Sequence, residues 1–233
     1  MMLILTIPLK HIPTVQRQDL WSKRFIRDHF RYVDEIMCAG ARIVKAVRER
    51  ARTHSPSNTN GVYDSYHVRR GDFQFKKLIV SDIGKLWNQS KDELEEGGTL
   101  YIATDEKEKE FFDLLKDHYD ITFLDDYMHL AGDINPNFYG MLDQLVASKG
   151  RTFFGCWWST YSGYINRLRG YHSVKNKQEG YELGHLQSYY FLPEEKKNQM
   201  IQYYPVKVPL YMREFPVGWR DIDKGIGELS SIK

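Results

Sequence analysis

Between residues 62 and 170 short apolar runs alternate with amphipathic stretches, and this alternation constrains the fold more than any other feature of the chain. Residues 62–68 read as a strand, and residues 79–96 as largely helical. A second strand follows at Thr99–Thr104, with the sequence TLYIAT. Residues 106–118 read as a helix with Phe111, Phe112, Leu114 and Leu115 on its apolar side. A short strand is expected at 121–124. A helix at 137–148 turns Met141, Leu142, Leu145 and Val146 inward. Residues 151–155 read as a strand and 160–169 as a helix. Four strand–helix units in succession predict an α/β fold, a parallel sheet flanked by helices. Ligands on such sheets sit outside the carboxyl ends of the strands. A chain of 233 residues is long enough for one sizeable core.

The flanks are less regular. Ile26, Phe30, Val33, Met37, Gly40, Val44, Val47 and Ala51 follow steps of four and three, one stripe of a long helix. Residues 54–61 are rich in Ser, Asn, Pro and Gly and read as a loop. Three parts are therefore expected: a basic helical segment at 1–60, a ligand-binding domain at 61–170, and an extension at 171–233 packed on it. The first 60 residues hold 11 Lys/Arg against 5 Asp/Glu, but the whole chain carries a net charge of only +2. That balance gives no footprint for nucleic acid. The two cysteines, Cys38 and Cys156, allow one disulfide at most and set no compartment. No run of Cys and His has metal-ligand spacing. The apolar start of the chain is too short to span a membrane.

The strand-end rule selects four segments: Arg69-Arg70-Gly71-Asp72, Asp105-Glu106, Asp125-Asp126, and Cys156-Trp157-Trp158-Ser159-Thr160. Adjacent arginines at a strand end call for an anion, and the guanidinium fork matches phosphate oxygens. A solvated basic turn with a local salt bridge explains the bare pair equally well. Asp105 and Asp126 fit helix capping as well as function. Ser159 is a natural N-cap, and the N–H groups of the helix behind it suit an anion. Trp157 and Trp158 can line a cleft or cover the sheet. Neither G-x-G-x-x-G nor G-x-x-x-x-G-K-[ST] occurs, which argues against a dinucleotide fingerprint or a P-loop.

Two of these segments carry a resemblance. His67-x-Arg69-Arg70-x-Asp72-Phe73 resembles the first signature of GDP-fucose protein O-fucosyltransferases, and a near relative of it occurs in α1,6-fucosyltransferases. Asp143-x11-Gly155-x3-Ser159-Thr160-Tyr161, running on to Arg167 and Arg169-Gly170, resembles the third signature of the same family. Ala103-Thr104-Asp105 is similar to the strand-end motif between them. The resemblance spans about residues 61–170. It implies a Rossmann-like domain, the nucleotide-sugar half of a two-domain GT-B glycosyltransferase, with no counterpart of the acceptor half in residues 1–60.

The resemblance also implies roles. Arg69 would reach the β-phosphate and glycosidic oxygen and act as the catalytic group. Asp143 would accept from the guanine N1–H and amino group. Ser159, Thr160 and Tyr161 would bind the β-phosphate. His67, Arg70, Asp72, Phe73 and Asp105 complete the expected donor site, with Asp72 orienting one of the arginines. GDP-fucose is then the donor substrate, fucose passes with inversion to a Ser or Thr hydroxyl of a protein, and neither a cofactor nor a metal is expected. Residence in the secretory pathway follows, with any membrane association lying in a region preceding this chain. Two alternatives stay open: an α1,6-fucosyltransferase acting on glycan, and a non-catalytic GDP-sugar-binding module.

Overall fold

The structure is a computed structural model that describes residues 21–22, 25–26, 28–71, 79–157, 159–176, 187–191 and 198–199. Its centre is a sheet of β1 (Asp64–Val68), β2 (Thr99–Thr104), β3 (Asp120–Thr122), β4 (Phe153–Cys156), β5 (Ser188–Phe191) and β6 (Asn198–Gln199) in the order β3-β2-β1-β4-β5-β6. The first five strands run parallel, and the two-residue β6 lies antiparallel on the edge. Among the described residues the α-helices include α1 (Asp34–His54), α2 (Ile83–Ser90), α3 (Asp113–Lys116), α4 (Tyr139–Ala147) and α5 (Thr160–Asn176). This is the α/β Rossmann-like arrangement that the sequence pattern predicts.

Strand alternation divides the core into two layers. Tyr63, Tyr101, Ala103 and Phe153 face α1, α4 and α5, where they meet Ile36, Ile43, Leu142, Val146 and Ile165. Tyr66, Val68, Leu100, Ile102 and Phe154 face the other way, onto Ile83, Leu86, Phe112 and Leu115. At Gly40 a Cβ would lie 2.6 Å from Leu145 Cδ1, so α1 and α4 pack closely at that point. The buried stripe of α1 is Ile36, Ala39, Gly40, Ile43, Val47 and Ala51; the expected Gly40, Val47 and Ala51 are in it, while Ile36 and Ile43 stand where Met37 and Val44 were expected. Phe30 and Val33, expected on the stripe, are 66% and 61% exposed.

The amino ends of the strands are clamped by buried charge. Asp64 accepts from Arg151 Nη2 at 2.7 Å and from the backbone N–H of Thr152 at 3.0 Å and of Glu95 at 3.1 Å. Arg169, only 2% exposed, donates to Ser188 Oγ at 2.8 Å, to the Arg151 carbonyl at 2.9 Å, and to the Gly150 carbonyl. A buried guanidinium is tolerated where carbonyls and hydroxyls take its donors. Arg169 thus belongs to the end of the sheet opposite Arg69, although it lies within the motif region. The sheet also takes β5 and β6 from beyond residue 170.

Candidate active site at the carboxyl ends of the strands

The order β3-β2-β1-β4-β5 reverses direction between β1 and β4, so a crevice opens above the carboxyl ends of these two strands. The chain leaves β1 at Arg69 and enters α5 at Thr160, one on each side of that crevice.

Register explains the first contact. Val68 lies opposite Thr104 in the parallel ladder, and the next residues along are Arg69 and Asp105. Arg69 Nη1 meets Asp105 Oδ2 at 3.0 Å. The same carboxylate accepts from the backbone N–H of Arg70 and of Gly71, each at 2.8 Å. Asp105 therefore ties the end of β2 to the turn after β1 and sets one edge of the Arg69 fork. A Cβ on residue 71 would stand 2.3 Å from Asp105 Oδ2, and only glycine leaves that carboxylate its place. Asp126, by contrast, does cap: it accepts from the Phe123 N–H at 3.0 Å and from Thr122 Oγ1 at 2.6 Å, where a 3-10 helix begins.

Arg70 points away from Arg69, as neighbours on an extended chain do. Its Nε donates to Glu106 Oε2 at 2.9 Å and its Nη1 to the Val80 carbonyl at 2.9 Å. The guanidinium lies 3.8 Å from the centre of the Phe111 ring. These partners occupy the fork with protein groups on the α2–α3 side. Asp72, Phe73 and Trp158 lie outside the described residues.

Across the crevice, Ser159 caps α5, with its Oγ 3.4 Å from the Ser162 N–H and its carbonyl accepting from Gly163 at 3.0 Å. Thr160 follows as the first helical residue and is exposed. Tyr161 lies against His67, ring centres 4.5 Å apart and planes at 30°, and donates its hydroxyl to the Gly140 carbonyl at 2.6 Å. That contact joins α5 to the start of α4, and Asp143 lies three residues further on, on the same helix face. Asp143 is 9% exposed and accepts from Tyr101 Oη at 2.5 Å. Burial pushes its carboxyl up to about 7, against the opposing pull of the Tyr101 hydroxyl and the Lys109 charge. The charges of Asp143 and Asp105 both act on Tyr161, whose hydroxyl is raised chiefly by burial.

Contacts and charges thus link His67, Arg69, Asp105, Ser159 and Tyr161 near the carboxyl ends of β1 and β4, with Thr160 beside Ser159 and the Asp143 charge within reach of Tyr161, while Arg70 is committed to the helix layer. Ser162 was not among the residues the sequence singled out, and Gly155 was named there only as a motif position. Ser162 Oγ accepts from the Cys156 N–H at 2.8 Å and lies 2.7 Å from His67 Nδ1. Its approach requires Gly155, where a Cβ would come within 2.7 Å of that oxygen. The only sequence signal was a third hydroxyl, three residues after Ser159. Trp157 packs edge-on against Tyr190, ring centres 5.1 Å apart, and so covers the sheet. The nearby Cys156 thiol is pushed up to about 12 by burial, which makes it a poor nucleophile.

The profile of the GDP-fucose protein O-fucosyltransferase family matches residues 6–172, most of the chain and every element of this crevice. The chain belongs to that family. The O-fucosyltransferase match begins well before the motifs at residue 67 and so takes in α1 as well. No individual curated protein matches the chain to a significant degree. The family assigns the chain to the glycosyltransferases, as a fucosyltransferase with GDP-fucose as donor. Among the described residues no three His, Cys, Asp or Glu side chains converge as a metal site would require. No helix among them is long and apolar enough to cross a membrane.

Proposed function

We propose that the crevice holds the GDP moiety of GDP-fucose and that fucose passes, with inversion, to a Ser or Thr hydroxyl of a protein in the secretory pathway. The observation that carries this reading is the facing pair across the strand-order reversal, Arg69 oriented by Asp105 on one side and the Ser159–Thr160 start of α5 on the other. Breaking the bond between the fucose anomeric carbon and the β-phosphate oxygen leaves its electron pair on that oxygen. Arg69 and the α5 N–H groups stabilise the charge, an electrostatic contribution of about 3–4 kcal/mol per donor at comparable sites. The acceptor oxygen attacks the opposite face of the anomeric carbon, which inverts it, and its proton leaves to a base or to solvent. Asp143 serves the other end of the donor by accepting two N–H groups from guanine, an arrangement adenine cannot offer. His67 and Tyr161 line the path between these ends.

Position 71 favours the protein-acceptor reading over the glycan one. The glycan-directed pattern usually carries Thr or a similar residue there, and in this chain any Cβ would collide with Asp105. Because arginine and a helix start supply the positive field, no divalent cation is assigned a role. Fucose transfer from GDP-fucose to Ser- or Thr-bearing protein acceptors is expected to persist in excess EDTA. Loss of turnover with chelator and its return with manganese would overturn the arginine-based mechanism. Turnover on glycan alone would favour the α1,6 reading, and GDP binding without any transfer the binding module.

A further inference from the structure

Ser162 stands at a junction that donor binding alone does not account for. It is fully buried on the first turn of α5, and its oxygen reaches back over Gly155 to the central strand. Two polar groups meet that oxygen, the Cys156 N–H at 2.8 Å and His67 Nδ1 at 2.7 Å. The Cys156 N–H can only donate, so it takes one Ser162 lone pair. The Ser162 hydroxyl proton then needs an acceptor, and among the described residues His67 Nδ1 is the one within reach. Donation by Ser162 leaves Nδ1 without a proton and puts the imidazole proton on Nε2. The reverse arrangement, Nδ1–H donating to Ser162, would bury a hydroxyl proton with no partner among the described residues, which costs the desolvation of that group.

We infer that Ser162 is a positioning residue that holds His67 as the neutral tautomer protonated at Nε2, so that this N–H serves as a fixed donor to the diphosphate or the sugar of the donor. The assignment of a ligand to Nε2 rests on the donor-site reading above; the tautomer lock does not. Two further contacts support the lock. The stacked Tyr161 ring, anchored through its hydroxyl to Gly140, fixes the imidazole plane. Nε2 meets no protein partner among the described residues, while Arg69 and Asp105 lie near enough for their charges to act on the ring. Burial lowers the imidazole to about 3, so it stays neutral at physiological pH and serves as a donor without acting as a proton carrier. A neutral donor beside Arg69 adds a hydrogen bond to the phosphate without a second positive charge to repel the first.

Two measurements test this. Nitrogen-15 NMR of His67 in the unliganded protein at pH 7 is expected to show a protonated Nε2 and a bare Nδ1. In Ser162→Ala that signal is expected to move toward a mixture of both tautomers. A wild-type spectrum showing Nδ1–H, or an imidazolium, would overturn the lock, whether or not the protein binds GDP. The second measurement is a double-mutant cycle on GDP affinity. His67→Gln removes the imidazole whose tautomer Ser162 would set; it is expected to weaken GDP itself and serves as the background in which Ser162 has no ring left to position. Ser162→Ala is expected to weaken GDP about tenfold in the wild-type background but less than about twofold in His67→Gln. Equal losses in the two backgrounds would mean that Ser162 acts on the fold alone. Failure of the wild type to bind GDP would sink the donor-site reading instead, and the spectra would still decide the tautomer.

Discussion

Replacing Arg69 by lysine is expected to lower kcat for fucose transfer by about 10²–10³-fold, close to what one lost oxyanion donor costs, while GDP affinity falls much less. Lysine keeps the charge but has no planar fork, so it cannot hold Asp105 and a phosphate oxygen in one fixed geometry. The deficit appears where charge develops on the leaving diphosphate, in the transition state, and so falls mainly on kcat. Arg70→Lys is the matched control. Arg70 meets Glu106, the Val80 carbonyl and the Phe111 ring, all of them protein groups. Its replacement should cost about 1–3 kcal/mol of stability, read as a lower melting temperature, with kcat close to wild type. A well-folded Arg70→Lys that is inactive beside a fully active Arg69→Lys would reverse the two roles.

Asp143→Asn is expected to stabilise the protein above pH 7 and to weaken GDP binding in the same sample. The carboxyl titrates near 7 in the folded chain because burial disfavours its charge, whereas an unfolded aspartate titrates near about 4. Between those values the folded state holds a proton that the unfolded state has lost. Stability from this group therefore falls as pH rises from about 4 to about 7, and the full penalty persists at higher pH. For a fully buried carboxyl the penalty is on the order of a few kcal/mol. Asparagine keeps an oxygen for Tyr101 Oη and carries no charge to penalise. His67 and His172, both lowered by burial, give the opposite slope below about pH 6.5. The informative quantity is thus the difference between variant and wild type across the pH range, measured by thermal unfolding. Guanine offers the charged carboxylate two N–H partners, so wild-type affinity for GDP should decline below about pH 7, while the weaker binding of Asp143→Asn should lack this inflection. Identical pH profiles for the two proteins would remove Asp143 from the guanine site.

Local pattern carried some elements and not others. Thr99–Thr104 is found at its expected limits because both faces of that strand are buried and the apolar run is continuous. The helix expected over 106–118 shrinks to a 3-10 helix at Lys109–Phe112 followed by α3. The Glu106 side chain is drawn back to Arg70 and its carbonyl is taken by Lys109 Nζ at 2.8 Å, so the chain runs extended before it can coil. The stripe of α1 was read correctly at Gly40, Val47 and Ala51 and one position late at Met37 and Val44, because their neighbours Ile36 and Ile43 are apolar too. Arg69, Asp105 and the start of α5 were picked out because strand ends and helix starts announce themselves locally, whereas Asp143, inside α4, was pointed to only by the family resemblance. The duties of Gly71, Gly155 and Ser162 were not legible. Each is defined by a partner on another strand or helix, such as His67, 95 positions from Ser162, and neither propensity nor periodicity encodes such a distance.

The central claim is that this crevice reads a guanine diphosphate through Asp143 at one end and Arg69 at the other. Calorimetric titration of the wild-type chain with GDP, ADP and UDP at pH 8, without divalent cations, tests it most directly. The account predicts GDP binding tighter than ADP or UDP by about 100-fold or more, since two charge-assisted hydrogen bonds inside a buried site are worth a few kcal/mol. Equal affinity for the three nucleotides, or no binding of GDP, would contradict it.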